Sequence, residues 1–128
     1  MRPARVAAAA VLTCLVGVAA PGVPAVAGIS DERVVEVKIG DNFFEPKKLV
    51  IRPGTTVVWR NDGRNEHNVL PDKGKLFGID EIDRDATYSF RFDKPGKYGY
   101  YCSFHGAPGS GQLGTIKVRK FNQKQKSK

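Results

Sequence analysis

Tyr100-Tyr101-Cys102-Ser103-Phe104-His105-Gly106-Ala107-Pro108-Gly109-Ser110-Gly111-Gln112-Leu113-Gly114-Thr115-Ile116 joins two β-rich runs through a loop of small residues. It sets a thiol and an imidazole three residues apart at the end of the first run, so one turn can bring both side chains to one ion. The only other histidine in the chain, His67, opens an apolar run far upstream. Two imidazoles and one thiol are the donors that electron-transfer copper uses, in a roughly trigonal arrangement with a weak fourth ligand. Thiolate suits Cu(I) and imidazole suits both oxidation states, so one rigid set serves both with little rearrangement. Taken singly, His67 reads equally well as a surface-loop histidine and Cys102 as a buried inert thiol.

Outward from this stretch the chain reads as short strands. Val34 to Ile39, Leu49 to Ile51, Thr55 to Trp59, His67 to Leu70, Leu76 to Ile79, Thr87 to Phe92, Lys97 to Tyr101 and Gly114 to Arg119 are separated by turns rich in Asp, Gly and Pro. In Tyr88-Ser89-Phe90-Arg91-Phe92 the period of two sends the aromatics inward and Ser89 and Arg91 outward. The same period puts Thr55, Val57 and Trp59 on one face, with Trp59 as a core anchor. No segment carries helical periodicity over a useful length. The class predicted is all-β, a sandwich or barrel of about eight strands, built as one domain over residues 28 to 119.

The ends of the chain bear on compartment and partners. Arg2 and Arg5 precede an apolar stretch, Val6 to Val18, that is shorter than the ~20 residues a spanning helix needs. Ala25-Val26-Ala27 then offers a small-x-small cleavage site, so residues 1 to 27 read as a signal peptide and the mature chain begins at Gly28. Cys14 lies within that leader, and Thr13 is too bulky for a lipoprotein box. Cys102 is then the one cysteine of an exported chain, where thiols normally pair, and it needs a partner, a metal or a reaction. Of 21 Lys and Arg, removal of Arg2 and Arg5 leaves 19 against 13 acids, a net charge of +6. Part of that excess lies in residues 120 to 128, a basic tail without hydrophobic periodicity that reads as disordered. With only Phe121 for stacking, the tail argues against nucleic acid. An acidic redox protein of the cell envelope, or an anionic cell-surface polymer, is the partner expected of a monomer with this charge.

The sequence also resembles a family. Pro53-Gly54-Thr55-Thr56-Val57-Val58-Trp59-Arg60-Asn61, His67-Asn68-Val69, Cys102-x-x-His105 and Gly114-Thr115-Ile116-Lys117-Val118 are similar to the plastocyanin/azurin group of cupredoxins, and the likeness spans nearly all of residues 33 to 119, including Phe43-Phe44-Glu45-Pro46. The resemblance implies a Greek-key β-sandwich. It implies one copper ion held by His67, Cys102 and His105, with Asn68 and Ser103 tying the two ligand loops together. It further implies that the edge of His105 lies nearest the surface, beside Gly106, Ala107, Pro108 and Gly109. The family usually has an axial methionine just before the last strand, where this chain has Gln112, and its one methionine is Met1. An amide oxygen, as in the stellacyanin branch, is the natural substitute and should lower the reduction potential. Alternatives at that position are a Gln112 that faces solvent, or a backbone carbonyl near Asn65 as the fourth ligand.

The function expected is one-electron transport by a blue copper protein. Copper acquisition or delivery to an envelope oxidase is the alternative, although no Met-rich or His-rich tract supports it. The chain is not expected to be an enzyme, because multicopper oxidases and nitrite reductases need more histidines than two. A zinc hydrolase could use the same donors, but no general base is indicated by motif, although Glu66 adjoins His67.

Overall fold

Alternation of β-branched or aromatic residues with polar ones produces nine strands, and no helix, among residues 33–122, the part of the chain that the computed structural model describes. They are β1 Val34–Ile39, β2 Phe44–Glu45, β3 Lys48–Ile51, β4 Thr55–Asn61, β5 His67–Pro71, β6 Ile79–Ile82, β7 Thr87–Phe92, β8 Gly96–Ala107 and β9 Ser110–Val118. One sheet has the order β2-β1-β4-β7 and the other β3-β9-β8-β5-β6. β1 runs parallel to β4 and β3 parallel to β9, while the remaining pairs are antiparallel. This is the all-β Greek-key sandwich expected, with nine strands rather than about eight. The expected leader, residues 1 to 27, and the end of the tail, 123 to 128, lie outside the described residues.

Period-two patterning decides which side chains enter the core. Thr55, Val57, Trp59 and Asn61 of β4 are buried, while Thr56, Val58 and Arg60 are not. In β7, Phe92 is buried and Tyr88 and Phe90 half-buried, with Ser89 and Arg91 exposed as expected. Trp59, fully buried, is the hub: its ring centroid lies 5.5 Å from both Tyr88 and Tyr100, 6.1 Å from Phe77 and 6.3 Å from Phe92. Truncating an aromatic ring packed in this way costs about 3–5 kcal/mol. Tyr100 stands opposite Gly114 across the β8–β9 ladder. A methyl group on Gly114 would approach the Tyr100 ring to 2.1 Å, so glycine is what allows the ring to lie flat over β9.

Several strand assignments differ from expectation. The strands expected at Lys97 to Tyr101 and Gly114 to Arg119 extend to Gly96–Ala107 and Ser110–Val118, because Gly106 and Ala107 pair with Gly111 and Ser110, and the expected loop of small residues shrinks to a turn at Pro108 and Gly109. The strand expected at Leu76 to Ile79 instead covers Ile79–Ile82. Leu76 is exposed, Phe77 turns into the aromatic core, and Gly78 adopts a φ of 128°, which breaks the run just before β6. The short strand β2 was not expected; it follows a turn at Gly40–Phe43, where the Gly40 amide donates to the Phe43 carbonyl at 2.9 Å.

Candidate metal centre

An irregularity in the β8–β9 ladder brings the site together. Tyr101 pairs with Leu113 and Gly106 with Gly111, so four residues of β8, Cys102 to His105, face one residue of β9, Gln112. The excess chain on β8 loops out and turns Cys102 and His105 toward each other across Gln112. β5 supplies the remaining side chain. Its C-terminal part pairs with β8, Leu70 with Tyr101 and Pro71 with Tyr100, while a register shift between His67 and Val69 re-aims its first residues.

His67, Cys102 and His105 come together as a result, with one ligating atom from each lying within 4.8 Å of the others. Both imidazoles turn Nδ1 toward the thiol: Cys102 Sγ lies 3.6 Å from Nδ1 of His67 and 3.8 Å from Nδ1 of His105. Metal–nitrogen bonds of about 2.0–2.1 Å and a metal–sulfur bond of about 2.3 Å, at angles near 110–120°, put nitrogen and sulfur about 3.6–3.8 Å apart. The three donors therefore fit one ion. Cys102 and His67 are fully buried, whereas His105 is half-buried, the exposure order expected. Among the described residues Cys102 has no disulfide partner. Burial is the main influence on His67 and pulls its pKa below the usual imidazole range, keeping a neutral ring with a lone pair to donate.

Gln112 is 1 % exposed, which excludes the solvent-facing alternative. Its Nε2 donates to the carbonyls of Gly40 and Phe43, each at 3.0 Å. Two carbonyl acceptors fix which end of the amide is NH2. The other end, Oε1, is buried with no hydrogen-bond partner. A buried amide oxygen without a donor, beside three converging donors, fits a weak axial contact. The Asn65 carbonyl is already engaged, accepting from Asn61 Nδ2 at 2.8 Å.

The expected tie between the ligand loops is present in reciprocal form. Asn68 Nδ2 donates to Ser103 Oγ at 2.8 Å, and the Ser103 amide donates to Asn68 Oδ1 at 2.8 Å. Each partner directly follows a metal-site residue, so the pair locks β5 to the β8 bulge. Glu66, the one carboxylate that adjoins His67 in sequence, gathers instead with Glu81 and Asp83 in an exposed acidic cluster. Sequence reasoning missed Asp41, whose Oδ1 lies 3.5 Å from Nε2 of His67.

Comparison with known proteins agrees with this geometry. Residues 32–119 match the model of copper binding proteins of the plastocyanin/azurin family. Plastocyanin of Scenedesmus fuscus is 34% identical over 99 residues, covering 66% of this chain and 99% of that protein. Plastocyanin of Nostoc punctiforme is 35% identical over 103 residues, covering 66% of this chain and 73% of that protein. Among solved structures, a purple cupredoxin from Nitrosopumilus maritimus is similar with a TM-score of 0.59 and 28% identity, over 66% of this chain and 99% of that one. An oxidised amicyanin variant is similar with a TM-score of 0.58 and 28% identity, over 66% and 81% of the two chains. With the matched span covering most of the sequence and both ligand loops, the chain belongs to the plastocyanin/azurin family of copper-binding proteins.

Proposed function

We propose that the protein is an exported one-electron carrier whose copper would be held by His67 Nδ1, Cys102 Sγ and His105 Nδ1, with Gln112 Oε1 as a fourth, weaker donor. The observation that carries this reading is the convergence of two imidazoles and a buried thiol at distances that suit one ion. Copper supplies the one-electron couple. The residues do the rest: two anchored sheets and the Asn68–Ser103 pair hold the donors in one arrangement, so little has to move when the charge changes. Family members of this type are electron carriers and not enzymes, and Glu66 is drawn into the acidic cluster rather than the metal centre. As a donor to copper, the Gln112 oxygen would be harder than a thioether and would favour Cu(II), which lowers the potential.

Electrons leave by the half-buried edge of His105. Gly106, Ala107, Pro108 and Gly109 follow it, and Phe104, 53% exposed, adds an apolar rim. A small apolar contact suits the weak, short-lived encounter of redox partners. Excess positive charge steers an acidic partner toward the molecule. Among the described residues no helix is long and apolar enough to cross a membrane, and the reading of residues 1 to 27 as a leader supports export. A carrier keeps its copper through repeated oxidation and reduction, whereas a delivery protein releases Cu(I) to an acceptor. Cyclic voltammetry with copper analysis before and after cycling tests this: a reversible one-electron wave with full retention of copper is expected. Loss of Cu(I) to a weak chelator during cycling would favour delivery.

A further inference from the structure

The turn between β1 and β2 carries a side chain that no ligand spacing in the sequence singles out. Asp41 Oδ1 accepts from the Arg64 amide at 2.7 Å, and lies 3.3 Å from the Asn65 amide nitrogen and 3.4 Å from Asn65 Nδ2. The same oxygen lies 3.5 Å from Nε2 of His67. That nitrogen is the one turned away from Cys102; it is buried and makes no hydrogen bond to the described residues. The separation is slightly wider than a formed hydrogen bond, so a buried imidazole nitrogen and a carboxylate face each other across a narrow gap.

Gly63 keeps that gap open to both groups. A methyl group built on it would stand 2.6 Å from Asp41 Oδ1 and 2.8 Å from His67 Nε2. Any side chain at this position would wedge carboxylate and ring apart. The Gly63 amide is itself held, donating to Asn61 Oδ1 at 2.9 Å. Asp41 and Gly63 together leave the buried Nε2 facing one anionic acceptor, on a side chain that is itself 36% exposed.

Once Nδ1 of an imidazole is committed to a metal, the ring proton must reside on Nε2, and a buried N–H needs an acceptor. We propose that Asp41 is a positioning residue of the metal centre, taking the Nε2–H of His67, fixing the rotation of that ring, and favouring the cupric over the cuprous state through its negative charge. This rests on the ligand reading above. The turn at residues 40–43 then governs two of the four donors, because Gly40 and Phe43 orient the Gln112 amide while Asp41 orients His67.

Asp41→Asn keeps the shape and an acceptor oxygen but removes the charge, and Gly63→Ala keeps the carboxylate but pushes it from the ring. The tests are the midpoint potential and visible spectrum of the copper-loaded protein, and the thermal midpoint of the metal-free protein. In Asp41→Asn the thiolate-to-copper band should persist, while the preference for Cu(II) falls by about three- to tenfold. That change is a rise of about 30–60 mV for a one-electron couple. Gly63→Ala should move the potential in the same direction. In the diamagnetic Cu(I) protein, the His67 Nε2–H proton should exchange slowly, and Asp41→Ala should abolish that protection. If the thermal midpoint falls in both Asp41→Asn and Gly63→Ala while both potentials stay put, Asp41 only staples the loop that carries Arg64 and Asn65, and the inference is overturned. A wild-type protein lacking the band removes the ligand reading and this inference with it; a band with unmoved potentials removes the inference alone.

Discussion

Replacing Asn68 with alanine removes both hydrogen bonds that join the two ligand loops, each 2.8 Å long. A net worth of about 0.5–1.5 kcal/mol per bond predicts a loss of about 1–3 kcal/mol for the pair. Asn68 is 3% exposed, so no water compensates on its side, whereas Ser103 is exposed and recovers part of its hydrogen bonding from solvent. The expected loss is therefore near the middle of that range, about 2 kcal/mol, or roughly 8–16 °C in melting temperature for a domain of this size. Urea unfolding of the metal-free protein measures it, with Ser103→Ala and the double variant completing a cycle. Ser103→Ala keeps the amide donor and loses only the Oγ bond, so the two substitutions should couple by about 0.5–1.5 kcal/mol. Copper affinity should fall by about 10–100-fold in Asn68→Ala, because the loops carrying His67 and Cys102 are no longer tied. A loss below about 0.5 kcal/mol, or zero coupling in the cycle, would refute the claim that this pair locks the site.

Further expectations come from other parts of the structure. Gln112→Met should raise the reduction potential by replacing an oxygen donor with a thioether, and it should cost stability because the donor to the Gly40 and Phe43 carbonyls is lost; an unchanged potential counts against axial Gln112. Burial lowers the pKa of His67, so the unfolded chain binds more protons in that window, and the metal-free protein should lose stability as pH falls below the ordinary imidazole value of about 6.5. His67→Gln should flatten this part of the stability profile measured by urea titration. Glu81 has its carboxyl pKa raised, first by Glu66 and then by Asp83, so its ionisation works against the fold above the usual carboxylate range. Glu81→Gln should raise the melting temperature at neutral pH, and the gain should vanish below about pH 4, where the wild-type carboxyl is protonated in folded and unfolded chains alike.

The donors were legible because metal chemistry restricts residue type: with two histidines and two cysteines in the whole chain, few other arrangements exist. Strands with clean alternation were legible for a similar reason, since Thr55 to Trp59 and Tyr88 to Phe92 each have one face that must be buried. β6 was misplaced because its sequence, Ile79-Asp80-Glu81-Ile82, has two acids of low strand propensity, whereas Leu76 and Phe77 look like strand residues. Its pairing comes from the β5 residues it meets, His67 with Ile82 and Val69 with Ile79. The bulge that holds Cys102 to His105 leaves no trace in period or propensity, since it arises from a three-residue mismatch between two strands. Asp41 was illegible because it lies far from either ligand loop in sequence, in Gly40-Asp41-Asn42, where an acid reads as ordinary turn chemistry. Its role depends on Gly63 leaving room between two side chains that meet only in the folded protein.

The most direct test of the electron-carrier account is the visible absorption spectrum of the protein loaded with Cu(II), taken alongside Cys102→Ser. The account predicts an intense thiolate-to-copper band that bleaches on one-electron reduction, returns on reoxidation, and is absent from Cys102→Ser. Copper bound without that band, or a band that survives loss of the Cys102 thiol, would contradict it.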